Sequence, residues 1–184
     1  MYTNKDIRCF VMTRNRPDLL RQTLKTLLWQ IGGPFDIWVI DNSTNEDTAN
    51  LIKKEYPQVH YEHTIGGALF LANLEKMKSL MTTPYTLTLH DDDLLAPDYL
   101  VNALKLLNYY NDVSLLFGKG KVFYGLDFPQ ELEEKSKKQI KNGTRHWLIE
   151  NQKDFAFAFW DRPNCYWSGS IIKSSLYKNI DFKF

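Results

Sequence analysis

Over its first 117 residues the chain alternates, with little between, short apolar runs and longer stretches whose apolar residues recur at helical spacing. Ile7 to Thr13 is an apolar run bounded by polar residues, of strand length and too short for a helix. Pro17 then stands where a helix accepts proline in its first turn, and Asp18 complements the N-terminal dipole. Leu20, Leu24, Leu27 and Leu28 make one stripe, which Gly32-Gly33-Pro34 ends. Asp36 to Ile40 is a second strand, and Ser43 with Glu46 three residues later predicts a capping box opening a helix that runs to about Tyr56. A third strand spans Val59 to His63. The pair Gly66-Gly67 precedes a helix with Phe70, Leu71, Leu74, Met77 and Met81 on its buried side. Tyr85 to Leu89 is a fourth strand. Pro97 begins a helix lined by Leu100, Ala103, Leu104 and Leu107, and Val113 to Phe117 is a fifth strand.

This order predicts an α/β fold: a mostly parallel central sheet with helices on both faces, a Rossmann-type α/β/α sandwich. Such sheets bind ligands outside the carboxyl ends of their strands, near the topological switch point. The polar residues that directly follow strands are therefore the candidates for function. Beyond residue 117 the rhythm breaks. Residues 129–142 read as a charged surface helix, and Phe155 to Phe159 alternates at strand period. A chain of 184 residues has room for one domain with a real core, here with halves 1–117 and 118–184. Its net charge of +1 gives no reason to expect nucleic acid or an anionic membrane as partner. Cys9 and Cys165 are the only cysteines, and Cys9 lies in an apolar run, so no disulfide framework is expected. No stretch approaches the ~18 apolar residues of a membrane span, and the N-terminal residues lack a signal peptide's apolar core. The expectation is a cytoplasmic domain.

His90-Asp91-Asp92-Asp93, directly after the fourth strand, is the strongest chemical signal. Adjacent carboxylates repel one another unless a cation or strong donors neutralise them. Hard oxygen ligands at a strand end suit Mg2+ or Mn2+, held together with a substrate diphosphate. A solvated acidic turn capping the next helix carries the same residues. Asp41 ends the second strand, where a carboxylate can accept a nucleobase N–H or a ribose hydroxyl, or simply start the following turn. Thr13-Arg14-Asn15-Arg16 can line a nucleotide or form an ordinary polar loop. Gly66-Gly67 can admit a phosphate or base close to the backbone, or make a tight turn. Trp160 to Ser170 gathers three aromatics with polar groups; it suits the apolar faces and hydroxyls of a sugar, and equally a satellite hydrophobic cluster. No GxGxxG or Walker sequence is present.

Taken in order, these pieces resemble the family 2 glycosyltransferases of the GT-A fold. Thr13-Arg14-Asn15-Arg16-Pro17 is similar to the family's Thr-Tyr-Asn-Arg strand end and Pro-started helix. Ile40-Asp41-Asn42-Ser43-Thr44 resembles its Val-Asp-Asp-Ser-Thr. Gly66-Gly67 through Asn73 looks like the Gly-rich helix start, and His90 to Asp93 with Pro97 looks like the Asp-x-Asp-Asp motif. Ser168 to Lys173, then Asp181-Phe182, is similar to the family's Gly-containing strand and Asp-Phe element. Three residues depart from the pattern: His90 replaces the motif's first Asp, Arg14 replaces the usual aromatic, and Ala72 stands where many members carry a base.

The resemblance implies transfer of a sugar from a nucleoside-diphosphate sugar, UDP favoured, to a saccharide or glycoconjugate acceptor, with inversion and with Mn2+ or Mg2+ as cofactor. Residues 1–117 would hold the donor and residues 118–184 the acceptor side. Thr13, Arg14, Asn15, Asp41, Gly67, Asn73, His90 and Asp91 would contact the donor. Asp92, supported by Asp93, would ligate the metal, and Trp160, Tyr166, Trp167, Ser168 and Gly169 would face the acceptor. In the family the catalytic base lies some tens of residues beyond the Asp-Phe element, whereas this sequence stops at Phe184, so Asp161 is the candidate within it. The alternatives are a non-catalytic nucleotide-sugar-binding domain of the same fold, and a sugar nucleotidyltransferase.

Overall fold

A computed structural model of the chain describes residues 1–65, 70–110, 112–118, 150 and 168–180. The expected helix at 129–142 and strand at 155–159 lie outside these residues. The elements are β1 (Ile7–Thr13), α1 (Pro17–Leu28), β2 (Asp36–Asp41), α2 (Asp47–Glu55), β3 (His60–His63), α3 (Phe70–Leu80), β4 (Tyr85–His90), α4 (Tyr99–Tyr109), β5 (Leu115–Leu116), β6 (Ser170–Lys173) and α5 (Ser174–Lys178). They build a six-stranded sheet in the order β3-β2-β1-β4-β6-β5. β1 pairs parallel with both β2 and β4, and β2 pairs parallel with β3. β6 lies antiparallel between β4 and β5. The sheet is thus mostly parallel, as the alternation requires, and the fifth strand is separated from the fourth by a strand from far along the chain.

Alternation along each strand assigns the two faces. Ile7, Cys9 and Val11 of β1, Ile37 and Val39 of β2, and Tyr85, Leu87 and Leu89 of β4 pack in one cluster with Leu20, Leu24 and Leu27 of α1, Leu51 and Ile52 of α2, and Leu100, Ala103 and Leu107 of α4. Phe10, Met12 and Ile40 point the other way, into Leu74, Met77 and Met81 of the α3 region and Tyr177 of α5. Helices therefore cover both faces, and β1 is buried on both sides because it carries large apolar residues at consecutive positions. Each fully buried Leu or Ile contributes about 1.5–3 kcal/mol relative to exposure.

Three local expectations are corrected. Leu28 is 38% exposed and lies outside the α1 stripe, while Thr23, Thr26 and Gln30 are buried. Ser43 and Glu46 form no capping box: α2 starts at Asp47, with no side-chain hydrogen bond at its N-cap Glu46, because the Ser43 hydroxyl is turned to Asp41. Pro97 precedes the helix instead of starting it, with Asp98 as N-cap of α4. No helix among the described residues is long and apolar enough to cross a membrane.

Candidate active site

The strand order reverses beside β1, since the chain leaves it for β2 on one side and returns to β4 on the other. At this switch point the carboxyl ends of β1, β2 and β4 open into a cleft of about 310 Å³. Met12, Thr13, Arg14 and Arg16 line it from β1 and its loop, Asn42 from the end of β2, Asn73 from α3, and His90, Asp91 and Asp92 from the end of β4. A cavity of similar volume, about 330 Å³, lies between Met1, Tyr2, Leu107, Asn108, Tyr110 and Asp112 at the amino ends of the strands. It offers Asp112 as its one charged side chain, so the chemistry gathers in the first cleft.

The acidic turn is held from below by α1. The buried Thr23 hydroxyl donates to the carbonyls of Asp91 (2.8 Å) and Asp93 (3.0 Å). The Thr26 hydroxyl accepts from the Leu95 N–H at 3.2 Å, and Gln30 donates to the Ala96 carbonyl and accepts from the Leu100 N–H. Thr23 and Thr26 share one face of α1 and Gln30 follows just past the helix end, so a polar stripe along and beyond α1 grips the whole segment from Asp91 to Leu100. The Asp93 N–H closes the turn on the His90 carbonyl at 3.3 Å. From the other side, the Ser168 hydroxyl accepts from the His90 N–H at 3.0 Å.

The three aspartates differ in environment. Asp91 is buried; it accepts from the Thr13 hydroxyl at 2.7 Å and faces the Arg16 guanidinium at 3.3 Å. Burial pushes its carboxyl above the usual range, against the opposing pull of Thr13 and Arg16. Asp92 is half-exposed and meets the same Arg16 guanidinium at 3.1 Å. Asp93 lies 4.0 Å from the His90 ring. His90, Asp92 and Asp93 each place one ligand atom within 4.8 Å of the other two, the one group among the described residues with the composition and spacing to hold a metal ion. Two carboxylates and an imidazole form a mixed oxygen and nitrogen set that accommodates Mn2+, whereas Mg2+ is ordinarily held through oxygen.

The remaining expected donor contacts divide into two groups. Thr13, Arg14, Asn73, His90 and Asp91 line the cleft. Asp41 and Asn15 instead brace the loops around it. Asp41 is 0% exposed, because strand alternation puts it on the face of Ile37 and Val39, under the helices. One of its oxygens accepts from the Ser43 N–H at 2.8 Å and from the Ser43 hydroxyl, and the other accepts from the Tyr61 hydroxyl at 2.8 Å. Burial, together with that bond, raises the Tyr61 phenol. Asn15 has a left-handed backbone (φ +54°), which asparagine tolerates better than most residues. Its N–H donates to the Ser43 hydroxyl and its side-chain oxygen accepts from the Thr44 N–H, stapling the β1–α1 loop to the β2–α2 loop.

Arg16 lines the cleft together with Thr13 and Arg14 of the same run, and Asn42 lines it without having been picked out as a site residue. Asn42 is nearly buried and accepts from the Asn73 amide at 3.2 Å, while Asn73 accepts from the Thr64 hydroxyl at 2.6 Å. Its position one residue past Asp41, on the opposite side of the alternation, is the signal that would have found it. Of the expected acceptor residues, Ser168 and Gly169 flank the site at the start of β6. Gly169 has φ +83°, its N–H donates to the Thr88 carbonyl at 2.7 Å and its carbonyl accepts from the Tyr99 hydroxyl. Gly67, Trp160, Asp161, Tyr166 and Trp167 lie outside the described residues.

The comparisons with known proteins agree with this geometry. The chain is similar in structure to S. aureus TarS residues 1–349 in complex with UDP, with a TM-score of 0.64 and 16% identity, over 95% of this chain and 48% of that one. It is also similar to the same protein in complex with UDP-GlcNAc (TM-score 0.56, 20% identity, 68% of this chain and 37% of that one). A third likeness is to the mannosyltransferase PcManGT from Pyrobaculum calidifontis in complex with GDP-Man and Mn2+ (TM-score 0.53, 20% identity, 64% and 36%). At these identities the likeness is one of fold, and the chain spans less than half the length of each of these proteins. Comparison with curated protein sequences gives no match. The family described as Glycosyl transferase family 2 matches residues 9–181, nearly the whole sequence. The chain belongs to glycosyl transferase family 2.

Proposed function

We propose that this chain is the donor-binding core of a metal-dependent, inverting glycosyltransferase that uses a nucleoside-diphosphate sugar, with UDP as the favoured nucleotide. One observation carries the reading: His90 and Asp92 line the cleft at the switch point and, with Asp93 beside them, form a group able to hold a metal ion, within the family match. UDP, UDP-GlcNAc and GDP-Man with Mn2+ in the related folds support the donor class and the ion. A saccharide or glycoconjugate is the expected acceptor.

His90, Asp92 and Asp93 would hold the metal, which supplies Lewis-acid neutralisation of a departing diphosphate. The chain's own residues do the rest. Asn42 and Asn73 present amide donors and acceptors in the cleft, suited to a base or ribose. Arg14 and Arg16 offer cations to the phosphates. Asp91 fixes Thr13 and the turn beneath them. Asp41 acts as a buried brace, orienting Ser43 and through it the β1–α1 loop. Displacement at the anomeric carbon needs a carboxylate to take the acceptor proton, and Asp161 is the proposed base within this sequence.

Calorimetry with UDP, GDP and dTDP, each with and without Mn2+, tests the reading. Metal-dependent binding of one nucleotide is expected, together with donor hydrolysis or transfer. Asp92→Ala should abolish the metal dependence while its circular dichroism spectrum stays native. Equal nucleotide affinity in that variant refutes the site, and tight binding without turnover favours a non-catalytic binding domain.

A further inference from the structure

We infer that Arg16 is an internal counter-ion of the acidic turn that must leave Asp92 before a metal is fully held there, and that a nucleotide diphosphate is what draws it away. The inference rests on the donor and metal reading above. Its basis is one shared residue. The Arg16 guanidinium lies 3.1 Å from an Asp92 oxygen and 3.3 Å from an Asp91 oxygen, and Asp92 is also a member of the group able to hold a metal. Two cations cannot take full advantage of one carboxylate, so each weakens the other.

Three features make Arg16 a displaceable cation. Its side chain is 53% exposed, so the contact is of the screened, weakly stabilising kind. It stands in the loop between β1 and α1, and it lines the same cleft as Asp92, so it need not travel to reach a bound ligand. A guanidinium also prefers the forked geometry of a phosphate over two separate carboxylates that each meet one nitrogen. Without donor, Arg16 therefore neutralises Asp91 and Asp92. With donor, it moves to the diphosphate and leaves Asp92 to the metal. Metal and nucleotide then favour each other's binding, and the coupling is reciprocal.

Mn2+ titration of the full chain, followed by the paramagnetic resonance signal of free Mn2+ with and without saturating UDP, separates the possibilities. The unmodified protein should bind Mn2+ weakly alone and more tightly with UDP. Arg16→Gln should bind Mn2+ alone about two- to fivefold more tightly, the worth of an exposed ion pair, while its UDP affinity falls and the coupling shrinks. Arg16→Lys should lie between, and Arg21→Gln, which removes a surface arginine paired with Glu55 and Asp18, should match the unmodified protein. Circular dichroism checks that each variant is folded. Unchanged or weaker Mn2+ binding by Arg16→Gln overturns the role of Arg16, provided the unmodified protein holds Mn2+ with UDP. Absence of Mn2+ binding under every condition overturns the metal reading itself, and this inference with it.

Discussion

Thr23 offers the most direct test of how the acidic turn is built. Its hydroxyl is 0% exposed and shares one proton between the carbonyls of Asp91, at 2.8 Å, and Asp93, at 3.0 Å. Thr23→Val keeps the shape and removes only that donor, so the effect is neither a cavity nor a helix-propensity change. The Asp91 carbonyl is then left buried without this partner, while the Asp93 carbonyl is partly reached by water. An orphaned buried carbonyl costs about 1–3 kcal/mol, and partial rescue at Asp93 places the sum in the lower half of that range. At roughly 2–4 °C per kcal/mol for a chain of this size, the melting temperature should fall by about 2–8 °C. Urea unfolding should show a lower midpoint at unchanged m-value. Thr23→Ser, which keeps the hydroxyl, should lose well under half as much. Because the same bonds hold the turn that carries Asp92, UDP affinity in Mn2+ should also drop for valine and not for serine. Equal losses for the two variants would refute the reasoning, since the methyl group, which valine keeps and serine lacks, would then count for as much as the proton.

The other predictions use the same logic at neighbouring positions. Tyr61→Phe removes the donor to one oxygen of the fully buried Asp41 and should destabilise the chain by about 1.5–3 kcal/mol, the scale for a bond to a charged group; denaturant titration reads it, and a neutral result would mean Asp41 finds another partner. Asp91→Asn should raise the melting temperature at neutral pH, with a gain that shrinks on acidification. The sign follows from burial raising the Asp91 carboxyl: the folded chain binds its proton more tightly than the unfolded one, so the stability associated with Asp91 is present at low pH and is lost as pH rises through its folded-state pKa. A difference between the two proteins that grew toward acid pH would contradict this.

Much of the fold was legible because buried strands and amphipathic helices write different periods into the sequence, and here they alternate cleanly from Ile7 to Leu107. The polar stripe along α1 and just past its end was not legible in the same way. Thr23, Thr26 and Gln30 have the spacing of a buried face but the hydropathy of an exposed one, and only their carbonyl and amide partners in the segment from Asp91 to Leu100 explain their burial. Ser43 misled for a related reason: its hydroxyl can serve a helix N-terminus or a neighbouring carboxylate, and a fully buried Asp41 draws it more strongly. The place of the strand at Ser170 to Lys173 in the sheet, between β4 and β5, follows from pairing across some eighty residues, which no local pattern encodes. The alternation of Ile37 and Val39 already places Asp41 on the helical side of the sheet, where its burial and its bonds to Ser43 and Tyr61 follow.

The charges of the cleft show why the site takes this form. Asp91 and Asp92 face Arg16, with Arg14 lining the same cleft and Asp93 beside them in the acidic turn, a balance that favours neither a free anion nor a free cation. A nucleotide diphosphate alone would add negative charge to a group already net acidic. A divalent ion alone would have to share Asp92 with Arg16. Arriving together they change the net charge little, and each then meets opposite charge: the ion at the carboxylates, the phosphates at the guanidiniums. On the proposed reading, an acidic turn partly neutralised from within holds an ion loosely until its substrate is present, and the burial of Asp91 beneath that turn is the stability cost of keeping it in place.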